Sequence, residues 1–326
     1  MFSTFSNCNI DLQTKIMQRK NLYLLVLSLV VALFYAPPIG HTVVFAKDTD
    51  PGELISGAVV NLYCYIRDGK ETSSLSGSGV VISDRGIILT NAHVAQYFLL
   101  TDADTKAKVY CSVRTGSPAE TMYTASVLYF PTDWAKENIL ENLNAQNGTG
   151  EHDFALMYIT GIRKGYSAPG FSALDVATSS IKVDGDSVTL GGYPSENLDF
   201  KDTQNKLERV ITSTTITNIS SFGENTFQDT YTLASSTVGG LGSSGGPVLD
   251  GSNNVIGIIT SKSTNKDSHA LRAISIPYID RMIQARTSFS LHTILESDLA
   301  LRARVSRILL PEGTMPALTK IISDKE

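Results

Sequence analysis

From Asp50 onward this chain breaks into short β-rich runs separated by glycine, asparagine, serine and aspartate, and that rhythm constrains the fold more than any other feature. Branched and aromatic side chains suit a pleated, half-buried surface, and turn residues at such short intervals leave little room for long helices. The runs fall into two sets. The first comprises 57–66, 77–83, 86–90, 106–113, 122–130 and 153–159. The second follows a glycine- and serine-containing linker over 161–180 and comprises 187–191, 207–219, 226–233, 246–249, 255–261 and 271–275. Two such sets predict an all-β protein of two six-stranded Greek-key β-barrels, because closing each sheet removes edges that would otherwise aggregate. The first barrel is expected over 50–160 and the second over 181–285. Helical spacing is confined to 133–142, to 276–285, and to a C-terminal helical extension over 286–326 whose period near 3.6 runs from Ile294 to Leu310 before Pro311 and Gly313 stop it.

Residues 1–46 read as targeting. Lys15, Arg19 and Lys20 precede an uncharged apolar run from Leu22 to Ala36, and Val44, Phe45, Ala46 offer a small-residue cleavage candidate. The run is shorter than the roughly 20 residues that span a bilayer, which favours a signal peptide over an uncleaved N-terminal anchor on 22–36. The rest is expected to be exported, periplasmic or extracellular, with membrane contact only through that segment. A net charge of -5 and scattered Lys and Arg leave no basic footprint, so nucleic acid is excluded as a partner. Of three cysteines, Cys8 would leave with the leader, and Cys64 and Cys111 remain either as a disulfide or as two separate buried thiols. The absence of a Cys-x-x-Cys or a His/Cys cluster points to no metal and no cofactor.

The chemistry gathers around Gly242, Ser243, Ser244, Gly245, Gly246, Pro247. A serine between glycines on a tight turn is a candidate nucleophile, provided a base takes its proton and an acid orients that base. His93, at the end of the strand-like Ile88, Leu89, Thr90, Asn91, is the candidate base, and Asp153, ahead of the apolar Phe154, Ala155, Leu156, the candidate orienter. His152 reads as a bystander on the opposite face. Histidine, aspartate, serine is one of the recurrent chain orders of a catalytic triad. Alternate amides in the turn, those of Gly242 and Ser244, are positioned to meet a tetrahedral oxyanion. The same Gly-x-Ser-x-Gly spacing occurs in α/β-hydrolase elbows, where the base follows the serine, and His269 and His292 lie downstream. Pro247 and strand-like Val248, Leu249 stand where that fold begins a helix, and alternating strand and helix units are missing, so this reading fails.

The ordered motifs resemble trypsin-like serine proteases, and most of all their HtrA/Deg-type branch. The resemblance rests on Gly77 to Ser83 with Gly86 to Val94, on Asp153 to Leu156, and on Gly242 to Pro247, with support from Gly191 to Pro194 and Val255 to Thr260. It implies a double-barrel endopeptidase acting on protein or peptide substrates, with His93 as general base, Asp153 as orienter and Ser244 as acyl-forming nucleophile. It further implies that Thr260, Ser261 and Lys262 form a strand edge for extended peptide, and that Val238 floors the pocket for the residue before the scissile bond. The strands bearing Cys64 and Cys111 would be neighbours at the first barrel's closure. Two departures stand out. Ser243 occupies the position of an aspartate in digestive relatives and usually an asparagine in the HtrA branch, and the roughly 40 residues after Ala285 are too few for the PDZ domain usual in that branch. A catalytically silent, peptide-holding version of the same fold is the alternative reading.

Overall fold

The computed structural model describes residues 51–69, 71–101, 107–141, 150–166, 170–262 and 270–323, which lie in one compact unit, Thr49–Glu326. Residues 1–46, and with them the expected leader, lie outside the described residues. Among the described residues no helix is long and apolar enough to cross a membrane.

Helix α1 (Pro51–Ala58) leads into β1 (Val59–Asp68), β2 (Glu71–Ser83), β3 (Ile87–Thr90), β4 (Lys108–Thr115), β5 (Glu120–Tyr129) and β6 (Ala155–Ile162). These close an antiparallel barrel in the order β1-β2-β3-β6-β5-β4. A second closed barrel, ordered β10-β11-β12-β9-β8-β7, is made from β7 (Ser187–Gly192), β8 (Val210–Ser220), β9 (Thr230–Leu233), β10 (Pro247–Leu249), β11 (Val255–Lys262) and β12 (Leu271–Ser275). The expected architecture of two six-stranded barrels is therefore present, each sheet closed on itself.

Strand alternation explains how the two barrels share a core. Val60, Leu62, Cys64 and Ile66 point into the first barrel with Val81, Ile88 and Met157. Their neighbours Val59, Val80, Ile87 and Leu89 face the other way, into a cluster that also takes Tyr193, Leu249, Val255, Ile258 and Ile274 from the second half. Strand β3 is buried on both faces, which is why its sequence is continuously apolar rather than alternating. The second barrel has its own core of Val188, Leu190, Ile216, Leu233, Val238, Val248 and Leu271.

Closure of the first barrel pairs β1 with β4 from Asn61↔Arg114 to Arg67↔Lys108, placing Cys64 directly opposite Cys111. Their Cα atoms are 4.1 Å apart and the sulfurs are bonded. Tyr65 and Tyr110, the next pair along, stack with ring centroids 4.8 Å apart.

The helices differ from expectation in the unforeseen α1 and two further short helices as well as in the tail. Short helices α2 (Ala92–Ala95), α3 (Thr132–Ala135) and α4 (Phe200–Asn205) precede α5 (Ile276–Thr287), which is capped by Ser275 with Pro277 in its first turn. The helix expected over 294–310 is two, α6 (Leu291–Leu295) and α7 (Leu299–Ile308), and beyond the stop at Pro311 and Gly313 follows a further helix, α8 (Thr314–Ser323). The break between α6 and α7 has a cause. Asp298 turns its carboxylate onto the N–H of Leu301 and restarts the helix as an N-cap, a role that competes with a mid-helix place for aspartate.

Candidate active site

Strands β3 and β6 are neighbours, paired Thr90↔Ala155, so the residues just beyond their ends meet. Asn91 leaves β3 in an extended conformation, and α2 begins at Ala92 with His93 in its first turn. The Asn91 side-chain amide donates to the Asp153 carbonyl at 2.7 Å, tying the end of one strand to the approach of the other. His152 is not on a strand face. It occupies a left-handed turn with φ 60°, three residues before β6, its N–H donating to the Tyr278 hydroxyl at 3.3 Å and its ring 3.9 Å from Glu137. That turn swings Asp153 inward.

Asp153 is 6% exposed, and its carboxylate accepts three hydrogen bonds. Its Oδ1 takes the backbone N–H of His93 at 3.0 Å, and its Oδ2 takes His93 Nδ1 at 2.8 Å and the Thr260 hydroxyl at 2.8 Å. Burial alone would raise the Asp153 pKa; the nearby His93 charge and these hydrogen bonds reverse that and hold it below its ordinary value. At His93 burial pulls downward, but the Asp153 charge and hydrogen bond outweigh it and leave the imidazole more basic than usual. With Nδ1–H committed to Asp153, the free lone pair lies on Nε2, and a third of the side chain faces the cleft.

Thr260 was expected only at the substrate edge, and its side chain sits elsewhere. It is the extra residue at the bulge between Ile259↔Ala273 and Ser261↔Arg272, 5% exposed, and its hydroxyl is spent on Asp153. A bulge re-aims one side chain off the strand's alternation, which period-2 reading cannot see. The β10 ladder along β11 stops at Pro247↔Ile258, so positions 260–262 run past the end of that neighbour. Ser261 and Lys262 hold strand positions there; their side chains lie outside the described residues.

Ser244 arrives on the turn between β9 and β10. Its hydroxyl donates to the Thr260 carbonyl at 3.4 Å, and among the described residues no hydrogen bond joins it to His93. The three candidates are thus linked through Thr260, whose hydroxyl holds Asp153 and whose carbonyl receives Ser244. In the turn, Ser243 N–H donates to Gly240 O, Gly245 N–H to Ile259 O and Gly246 N–H to Ser243 O. The amides of Gly242 and Ser244 take no partner among the described residues.

The glycines are sterically required. Gly245 has φ +85°, and a Cβ there would meet Ser78 O at 2.2 Å and Thr90 Oγ1 at 2.3 Å; one at Gly246 would meet Gly191 O at 2.1 Å. The turn therefore rests directly on β2 and β3 of the first barrel. Val238 is fully buried, its Cγ1 3.1 Å from where a Cβ on Gly192 would sit, and it shares a core cluster with Leu271. No group of three His, Cys, Asp or Glu side chains among the described residues is placed to hold a metal ion.

A model of the trypsin-like peptidase domain matches residues 77–258, more than half of the chain. The chain belongs to this family. The trypsin-like peptidase match runs from Gly77 on β2 to Ile258 on β11 and includes His93, Asp153 and the Gly242 to Pro247 turn. Comparison with curated proteins finds no match. Among solved structures, this trypsin-like peptidase is similar to the Rv3671c protease of Mycobacterium tuberculosis. For the active form the identity is 18% and the TM-score 0.45, covering 72% of this chain and 82% of that one. For an inactive mutant form the identity is 18% and the TM-score 0.43, covering 73% and 90%. Sequence reading missed Ser78, Asn91 and the Asp153-facing role of Thr260; for Asn91 and Thr260 the signal available was a polar residue at the end of an apolar run, where burial demands a partner.

Proposed function

We propose that this trypsin-like peptidase is an exported serine endopeptidase that cleaves protein substrates through an acyl-enzyme. The observation that carries the reading is the arrangement of His93 on Asp153, with the Ser244 turn docked against them through Thr260. Ser244 attacks the scissile carbonyl as His93 Nε2 removes its proton. The imidazolium so formed is stabilised by buried Asp153, and the same proton then passes to the leaving amine. Charge developing on the carbonyl oxygen is met by the N–H groups of Gly242 and Ser244, each such donor contributing about 3 kcal/mol to transition-state stabilisation. The backbone of 260–262, running past the end of β10, receives the substrate as an added strand. Apolar Val238 beneath the cleft favours a small or medium apolar side chain before the scissile bond.

The silent alternative draws on the Ser244 hydroxyl, which bonds to Thr260 rather than to His93. Catalytic hydrogen bonds are often long or misaligned without substrate, so this contact is compatible with either reading. The test is labelling of the purified protein with a serine-directed fluorophosphonate, together with casein hydrolysis. Labelling at Ser244 and a drop in turnover of about 10⁶-fold in Ser244→Ala are expected. Folded wild type that neither labels nor cleaves would overturn the endopeptidase reading in favour of the silent module.

A further inference from the structure

Ser78, in the Gly77, Ser78, Gly79 segment of β2, has no assigned part in the chemistry, yet all of its polar groups are engaged and it is fully buried. Its hydroxyl donates to the Gly242 carbonyl at 2.7 Å and accepts from the Tyr193 N–H at 2.9 Å. Its own N–H donates to the Ser244 carbonyl at 2.7 Å. Its carbonyl accepts from the Thr90 hydroxyl at 2.7 Å, three residues before His93. One residue of the first barrel thus grips the backbone of the nucleophile turn at two points and reaches the strand that carries the base.

The position of those two points matters. A peptide group is planar, so fixing its carbonyl fixes the direction of the N–H on the same plane. Ser78 fixes the planes on either side of the Ser243–Ser244 peptide, whose N–H is one of the two open donors of the turn. The plane carrying the Gly242 N–H is held in turn by Ser195, which donates its N–H to the Leu241 carbonyl at 2.7 Å. The turn receives no comparable support from its own side chain. Ser243, 1% exposed, has a hydroxyl without a hydrogen-bond partner among the described residues.

We propose that Ser78 is the positioning residue of the oxyanion turn: clamped between Gly242 O and Tyr193 N–H, its hydroxyl sets the orientation in which the Gly242 and Ser244 amides converge. This rests on the serine protease reading given above. Removing the hydroxyl leaves a buried acceptor and a buried donor unpaired, and rotation of the Gly242–Ser243 peptide away from that orientation becomes the way to relieve them. The damage then falls on the transition state, where the oxyanion exists, and spares the bound substrate.

Ser78→Ala is expected to lower kcat by about 10- to 100-fold, less than outright loss of an oxyanion donor, with KM changed by less than about threefold. The discriminating readout uses two ligands built on one peptide that the wild type cleaves. Its aldehyde, which forms a tetrahedral adduct with the serine, should lose affinity by the same factor as kcat/KM. The matching alcohol, which forms none, should bind as before. Equal losses for aldehyde and alcohol, or a wild-type kcat, would overturn the proposal. Should the alanine variant not fold, Ser78→Cys keeps the size and weakens the bond, and a folded cysteine variant with wild-type kcat overturns it equally. A readout without turnover separates this from failure of the protease reading: amide exchange at Tyr193 should accelerate in the Ser78 variants even if the wild type cuts nothing. Unchanged exchange there removes the clamp.

Discussion

The two barrels deliver their chemical groups in different ways. In the first, His93 and Asp153 lie just beyond the ends of paired strands, and the β3 and β6 ladder, Asn91 and the Asp153 carboxylate fix them with bonds internal to that barrel. In the second, Ser244 sits on a turn held by bonds of its own half, to Gly240, Ile259 and Ser195, and also gripped from outside, by Ser78 of β2 and by the close fit of Gly245 against Ser78 and Thr90. On the proposed reading, the base and its orienter are held mostly within one barrel, with the Thr260 hydroxyl as the bond reaching Asp153 from the other, whereas the nucleophile and its oxyanion donors depend more heavily on docking. Damage to the first should change the chemistry of proton transfer; damage to the second should misplace groups whose chemistry is intact.

The sharpest way to break the first half is Asp153→Asn. The fold should tolerate it, since Asn keeps the size and can still accept from the His93 N–H, but the imidazole loses its tautomer control and turnover is expected to fall by about 10⁴-fold. The pH profile gives the sign. With Asp153 present, the His93 pKa lies above its ordinary 6.5, so kcat/KM should rise with pH along a limb centred above that value as the base becomes neutral. In the asparagine variant burial is no longer opposed, and the limb of the residual activity should move to lower pH. A limb that stays where it was would show that Asp153 does not set the basicity of His93. The linked stability effect follows from the lowered Asp153 pKa. The stabilisation is present above the ordinary 3.8 and is lost as pH falls through the lower folded value.

Breaking the second half calls for Gly245→Ala. The added methyl collides with two fixed oxygens of the first barrel and sits at a positive φ, so the turn must move. An effect of about 10² to 10³-fold on kcat is expected, the scale of losing an oxyanion donor, with the His93 limb of the pH profile unmoved. A shift of that limb would mean that the dyad also depends on docking, and the contrast between the barrels would collapse. Thr260→Val probes the joint between them. It removes the hydroxyl from Asp153 but keeps shape and the carbonyl that receives Ser244, so a loss of about 10-fold or less is expected from one missing hydrogen bond of roughly 1 kcal/mol.

The contrast also explains what could be read from sequence. Two barrels were legible because the strands are short, apolar and punctuated, and His93, Asp153 and Ser244 because each lies at the end of a recognisable run. What lay hidden depends on close approach between segments far apart in the chain. Ser78 is 164 residues from Gly242, and nothing local to Gly77, Ser78, Gly79 announces a bond to it. Thr260 was placed at the substrate edge by the family resemblance, which carries no sign of the bulge that turns its side chain to Asp153, and the break at 296–298 was concealed because Asp298 fits the helical period even as it caps the next helix.

The smallest expected effect on activity, and the one that isolates the first barrel's own rigidity, comes from replacing Cys64 and Cys111 together by alanine. The disulfide joins residues already paired in a ladder that runs from Asn61 to Arg67, so the native position of β1 and β4 does not depend on it. Its contribution is to the unfolded chain, where closing a loop with a sequence separation of 47 costs entropy worth about 4 kcal/mol in the chain-entropy account. Thermal unfolding should therefore move down by roughly 10 °C, while kcat/KM at ambient temperature and the pH limb of His93 stay at wild-type values. If the cysteine-free protein instead loses activity before it loses structure, the first barrel is not the self-sufficient scaffold that its ladder implies. The dyad would then share with the Ser244 turn a dependence on constraints imposed from outside its own strands.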